Sequence, residues 1–284
     1  MLLHQLTNVI EGVVIKRPSK YIKTPYVADI EVCIDDSNFT EDILGHTPSL
    51  GCCGLVDTGA TVLLTESIND KSKCSHTVQL SIINSNTTNK QLIVGVNPKL
   101  AEILAESALK NNCLSRLLNI KSYKKETTVY IEGKVDSRFD FSGIDENGIP
   151  FLMEVKTVPL SSPTLGKNTN INNNGISYFP DGFRKKVTDT VSPRALKHIQ
   201  ELTLIKRETK VRCLMCYVIQ RSDTHMFMPS PADPAYKKAF YEAMEAGVEI
   251  ITLQVDWQLD NTSDKASAKA CAYFVRDDLP ISSE

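Results

Sequence analysis

SRFDFSGIDENGIPFLMEVK, residues 137–156, is the stretch on which the fold turns. Two alternating runs flank Glu146-Asn147-Gly148, a strong hairpin signal. With the turn centred on Asn147, Asp140 faces Glu154 and Arg138 faces Lys156. All four project from one face, because side chains two apart on a strand point the same way. Directly opposed Cβ atoms lie roughly 4.5–5.5 Å apart, where like charges destabilise a sheet. A surface hairpin would pair acid with base, whereas this register sets two carboxylates together and two cations one step along. A divalent cation between the carboxylates and a phosphate near the cations would relieve both repulsions. Magnesium-type sites use one or two carboxylates, waters and substrate phosphate. A nearby lysine steadies the attacking water or the charge developing on phosphorus. The plain alternative is a solvated charged face, and a one-residue slip of register would undo the pairing.

The surrounding pattern is a helix, three strands, a helix and a strand. LAEILAESAL follows Asn97-Pro98, a cap residue with proline at the first helical position. TTVYIEG, VDSRFDFSGI and IPFLMEVKTV are the strands. Ser192-Pro193 opens RALKHIQELTLIK, and VRCLMCYVIQR is a strongly apolar strand ending at Gln220-Arg221. A last unit, DPAYKKAFYEAMEAG then VEIITLQVDW, reads as a helix stopped at Gly247 and a strand. Residues 9–96 have an all-β texture, with short apolar runs separated by turns, the length of a small barrel or sandwich. Residues 166–175, GKNTNINNNG, are polar and low in complexity and are expected to be a mobile insertion.

Length and charge bound the function. At 284 residues the chain can bury one large core or two modest ones. A net charge of −2 gives no global attraction to nucleic acid, so any polyanion site must come from local clustering. One cluster is the helical stripe Arg194, Lys197, His198 and Glu201, with Arg184, Lys185 and Lys186 upstream; such a stripe contacts phosphates or is merely the wet side of an amphipathic helix. Another is KRPSKYIK, residues 16–23, with Arg17 and Lys20 around an aromatic residue, suited to single-strand or duplex backbone contact. No apolar run reaches the ~18–20 residues of a membrane span, and no signal-peptide pattern opens the chain. The eight cysteines show no framework spacing. Cys213 and Cys216 fall on opposite faces of one strand and cannot chelate one metal. Reduced, intracellular cysteines in a cytoplasmic or nuclear protein are expected.

One motif points elsewhere. Asp57-Thr58-Gly59-Ala60 in GLVDTGATVLLTES resembles a retropepsin-like aspartic protease signature, with LIVGVN downstream as its brace. Such chemistry needs two aspartates sharing a proton. No second D-T-G or D-S-G occurs, so a homodimer would be required. The segment reads better as a turn between strands, with Gly59 free to take positive φ.

SRFDF, MEVKTV, FPD, RALKHIQEL, VIQRSD and the DPAY…AGVEI tail resemble the sugar fermentation stimulation family (SfsA), and IKRPSKYI, HTPSLGCCGL…GATVLLT and VGVNPKLAE extend the resemblance to nearly the whole chain. The resemblance implies an α+β chain. Residues 1–95 would form an OB-like barrel that binds nucleic acid, and residues 96–284 a PD-(D/E)XK restriction-endonuclease-like domain. It implies a Mg2+- or Mn2+-dependent nuclease, or alternatively a non-catalytic DNA-binding regulator of sugar metabolism. The catalytic set would be Asp140, Glu154, Lys156 and Gln220, with the metal on Asp140 and Glu154 and Glu126 as a further acidic position. Arg17, Lys20, Arg138, Arg194, Lys197, His198 and Arg221 would face nucleic acid. DNA is the expected partner, with RNA the alternative and a second copy of the chain a further one. The Asn-rich loop is an addition to the family pattern, and Ser49-Leu50 stand where it usually has Asn-Thr.

Overall fold

A computed structural model describes residues 1–33, 40–67, 71–84, 91–161, 175–180, 189–260 and 268–282. Of the Asn-rich stretch only Gly175 is included, and Arg184, Lys185 and Lys186 lie outside the described residues. The first strand, β1 (Leu2–Leu6), finds its partner at the far end of the chain. It is followed by β2 (Ile10–Lys16), β3 (Val27–Cys33), β4 (Thr40–His46), β5 (Thr61–Glu66), β6 (His76–Asn84) and β7 (Gln91–Gly95). Strands β2 to β6 close on themselves: the order is β4-β3-β2-β5-β6, and a short parallel pairing of β4 with β6 seals the barrel. Its core is Val14, Ile30, Val32, Val62, Leu64, Val78 and Val94, inward residues of alternating strands. Asp57-Thr58-Gly59 is an exposed turn leading into β5. Gly59 has φ 90, and its N–H donates to Val14.

Beyond the barrel come α1 (Pro98–Lys110), β8 (Ser122–Ile131), β9 (Val135–Ile144), β10 (Pro150–Val158), β11 (Ile176–Phe179), α2 (Pro193–Glu208), β12 (Arg212–Ile219), β13 (Met226–Pro229), α3 (Pro234–Glu245), β14 (Glu249–Asp260) and β15 (Lys269–Arg276). Each helix starts on the same device, a side-chain cap followed by proline. Asn97 accepts from Lys99 N–H, Ser192 from Ala195 and Asp233 from Tyr236. Gly247, at φ 89, ends the last of them. Among the described residues the sheet order is β1-β15-β14-β12-β10-β9-β8, with β10, β12 and β14 parallel. Helix α1 packs on one face with Phe141, Met153, Val155 and Cys216. Helices α2 and α3 cover the other face with Phe139, Leu152, Cys213, Met215 and Tyr217. The two cysteines of the C-x-x-C thus enter different cores.

With the short β11, which pairs with β13 outside the main sheet, inserted before α2, the order α1-β8-β9-β10-α2-β12 is the expected helix, three strands, helix and strand, and the chain is an OB-like barrel joined to an α/β domain. The expected division at residue 95 misplaces the start of the chain. Strand β1 pairs antiparallel with β15 in the second sheet, and Leu3 is buried in that core. A five-residue strand carries no local sign of a partner so far away in sequence.

Candidate active site

The hairpin register is the expected one. Ile144 pairs with Pro150, Gly143 with Phe151, Ser142 with Leu152 and Phe141 with Met153. The turn is fastened by Asp145, whose Oδ1 accepts from the N–H groups of Asn147 (2.9 Å) and Ile149 (2.8 Å). After Phe141–Met153 the ladder stops and β9 parts from β10, which stays paired with β12 through Val158–Ile219. Asp140 sits at the split. Its Oδ2 accepts from the freed N–H of Val155 at 2.7 Å. Across the sheet, β8 breaks its ladder at the same level: Lys125 pairs with Phe141 and Thr127 with Phe139, while Glu126 between them takes φ 55. Either side of this kink, apolar residues serve different cores: buried Phe141 and half-buried Tyr123 one, buried Phe139 and half-buried Val129 the other.

Glu154 is 2 % exposed, a charge in the middle of a sheet strand covered on both faces. Its Oε1 accepts from Lys156 Nζ and from His198 Nδ1 of α2, while Oε2 is buried without a partner. Burial pushes the Glu154 carboxyl up, but the His198 hydrogen bond and the Lys156 charge outweigh it and hold it below the usual range. Asp140 goes the other way, to about 7: burial raises it first and the Glu154 charge second, against the Val155 N–H and Lys156. Neighbouring carboxyls driven apart in this way are a recurrent feature of sites doing proton or metal chemistry. Glu102 of α1 also raises Asp140, so a third acid is within electrostatic reach.

Several expected members are elsewhere. Arg138 does not face Lys156, because the strands have already separated; it lies 57 % exposed, 3.4 Å from Glu126. Glu126 is turned outward with it and does not join Asp140 and Glu154. Gln220 is fully buried at the seam with the barrel. Its Nε2 donates to Thr157, its backbone carbonyl accepts from Gly95 N–H, and a Cβ at Gly95 would collide with its side chain. Arg221 is fully buried too, bidentate on Asp223 and donating to Pro159 O, so it offers nothing to a phosphate. His198 is buried rather than on a wet stripe. Lys197 reaches Asp136 O, and Arg194 is exposed. In the barrel, Arg17 is spent on Pro25 O and Ser49 O, whereas Lys20 is exposed, 3.6 Å from the Asp42 carboxylate and 4.8 Å above the ring of Tyr21, itself 70 % exposed.

Sequence reasoning missed His198 as a partner of Glu154. For His198 the signal was present: Ala195, Ile199, Leu202 and Ile205 form the buried stripe of α2, and position 198 lies one turn from both 195 and 202.

Residues 99–261 match the family described as the sugar fermentation stimulation protein RE domain. The chain belongs to the sugar fermentation stimulation family. It is 30 % identical over 260 residues to the sugar fermentation stimulation protein homolog of Prochlorococcus marinus (strain NATL1A), covering 89 % of this chain and 90 % of that one. The homolog of Synechococcus elongatus is 32 % identical over 231 residues, 81 % and 83 % of the two chains. The solved structure of Pyrococcus furiosus SfsA in complex with Ca2+ superposes over 99 % of both chains with a TM-score of 0.69 at 18 % identity. That structure therefore shares the fold of this chain, barrel included. Among the described residues no helix is long and apolar enough to cross a membrane.

Proposed function

We propose that this member of the family is a nuclease that hydrolyses phosphodiester bonds in DNA, using Mg2+ or Mn2+ held by Asp140 and Glu154. The observation that carries the reading is the unpartnered, buried Glu154 Oε2 beside an Asp140 whose pKa its charge helps to raise. A cation there would satisfy the oxygen and remove the repulsion. Among the described residues no three His, Cys, Asp or Glu side chains could hold a metal ion together. The donor set therefore fits a magnesium-type site, two carboxylates completed by water and substrate phosphate, rather than a closed cage. That the Pyrococcus furiosus relative was obtained with Ca2+, another oxygen-seeking cation, agrees with this choice. When bound, the ion supplies Lewis-acid polarisation and a more acidic water. Lys156 is held against Glu154 and can turn its ammonium toward the scissile phosphate.

The assay is cleavage of labelled DNA, with RNA in parallel, in Mn2+. Glu154→Gln and Lys156→Ala are expected to lose at least ~10²–10³-fold in rate, the usual cost of one electrostatic group. Binding of DNA with no cleavage by any preparation would favour the non-catalytic regulator and sink the nuclease.

The barrel is proposed as the grip. Exposed Tyr21 with Lys20 above it suits base stacking beside a phosphate. Base–aromatic stacking contributes ~1–3 kcal/mol per base. Tyr21→Ala should accordingly weaken single-stranded oligonucleotide binding roughly tenfold in Kd, with a smaller effect on duplex. Anisotropy titrations of both would read it, and equal losses on the two substrates would count against stacking.

A further inference from the structure

We infer that His198 is a positioning residue, which turns the Glu154 carboxylate so that Oε2 stays open to the cation; this rests on the metal reading above. Both donors to Glu154 converge on Oε1. A carboxylate has room for about four hydrogen bonds over two oxygens. Here Oε2 is bare and the side chain is 2 % exposed. Leaving a buried oxygen bare costs ~1–3 kcal/mol; Glu201 Oε2 is bare as well, but Glu154 also stands beside the Asp140 carboxyl.

Lys156 cannot set that orientation alone. It lies two residues along the same strand, on a long side chain that follows wherever the carboxylate turns. His198 comes from a separate element whose place is fixed three ways. The Ser192 cap starts the helix, Lys197 donates to Asp136 O, and Glu201 Oε1 accepts from Asp136 N–H. Phe139 meets the imidazole edge-on, with ring centroids 5.9 Å apart. Because a carboxylate only accepts, Nδ1 carries the hydrogen, which defines the donor whatever the state of the far nitrogen.

The experiment measures Mn2+ binding to the full chain by calorimetry, with no nucleic acid and no turnover. His198→Asn places an amide nitrogen where Nδ1 was, His198→Gln places one where Nε2 was, and His198→Ala places none. His198→Asn is expected to bind within about threefold of wild type, while the other two lose roughly 10–100-fold, the range for groups that orient metal ligands. Thermal melts in EDTA identify folded variants, and if His198→Ala does not fold, the contrast of asparagine with glutamine decides alone. Wild-type affinity in His198→Ala or His198→Gln, or an equal loss in His198→Asn, would overturn the assignment. No Mn2+ binding by wild type would overturn it together with the metal site, whereas binding indifferent to His198 leaves the metal site standing.

Discussion

Replacing Asp140 by asparagine is expected to raise the melting temperature of the metal-free protein while abolishing Mn2+-dependent cleavage. The asparagine Oδ1 can still accept from Val155 N–H, so the split between β9 and β10 keeps its hydrogen bond. What disappears is a carboxylate disfavoured by burial and by Glu154. The sign follows from linkage: a carboxyl whose folded pKa is raised, here from 3.8 to about 7, binds its proton more tightly in the native state. Stability therefore falls as pH climbs from 3.8, and the full penalty is in place above about 7. Each pKa unit corresponds to about 1.4 kcal/mol. The ceiling is then roughly 4 kcal/mol at pH 8, and partial solvation of a half-buried group lowers it. With ~2–4 °C per kcal/mol for a chain of this size, the variant should melt several degrees higher at pH 8 in EDTA. The two curves should converge near pH 4. Adding Mn2+ should stabilise wild type but not the variant. A variant that melts lower than wild type at pH 8 without metal would show that Asp140 is a structural carboxylate, and the site would lose its second ligand. Stability given up at a functional position is the usual trade.

How much of this was legible in the sequence depends on distance along the chain. The hairpin register was, because Asn147-Gly148 and two alternating runs are local and agree with one another. The helix starts at Asn97-Pro98 and Ser192-Pro193 and the stop at Gly247 were legible for the same reason. The separation of β9 from β10 was not. It falls at the level where β8 kinks at Glu126, while β10 stays paired with β12 throughout, so Arg138 and Lys156 never face each other. Gln220 and Arg221 mark a strand end, as expected, but that end abuts Gly95 of the barrel and the Pro159 carbonyl instead of solvent. A strand-end pattern looks the same in both settings. His198 failed differently: its charge-bearing neighbours suggested a wet stripe, when helical spacing already aligned it with the apolar residues. Asp57-Thr58-Gly59 was legible as a turn, because glycine chemistry is local and no second D-T-G or D-S-G supports the protease reading, and the structure has an exposed turn there with Gly59 at φ 90.

Loss of Arg212 should hurt the fold, and through the fold the site. Arg212 stands at the start of β12 and joins three segments. Nη1 donates to Asp145 at 2.8 Å, Nε and Nη2 hold Glu249 at 2.8 and 2.7 Å, and Nη2 also reaches Arg116 O at 2.6 Å. Asp145 is the carboxylate that shapes the 145–149 turn, and its side chain is 2 % exposed. Burial pushes it up, but Arg212 and the two backbone N–H groups bring it below the usual range. Arg212→Met keeps the stem and leaves Asp145 buried without its counter-charge. Breaking one side of such a pair costs about 3–5 kcal/mol, or on the order of 10 °C in melting temperature. The depressed pKa of Asp145 contributes stability above the unfolded carboxylate range and loses it as pH falls through the folded value. The gap between wild type and variant should accordingly be widest near neutral pH and narrow in acid. Because Asp145 shapes the turn that sets Asp140 against Glu154, the variant should also bind Mn2+ more weakly at temperatures where it is still folded. Restoring neutrality with Asp145→Asn in the same chain should recover part of the stability. A single variant that melts with wild type would mean that solvent, not Arg212, compensates Asp145, and that the register is held by the Asn147-Gly148 turn alone.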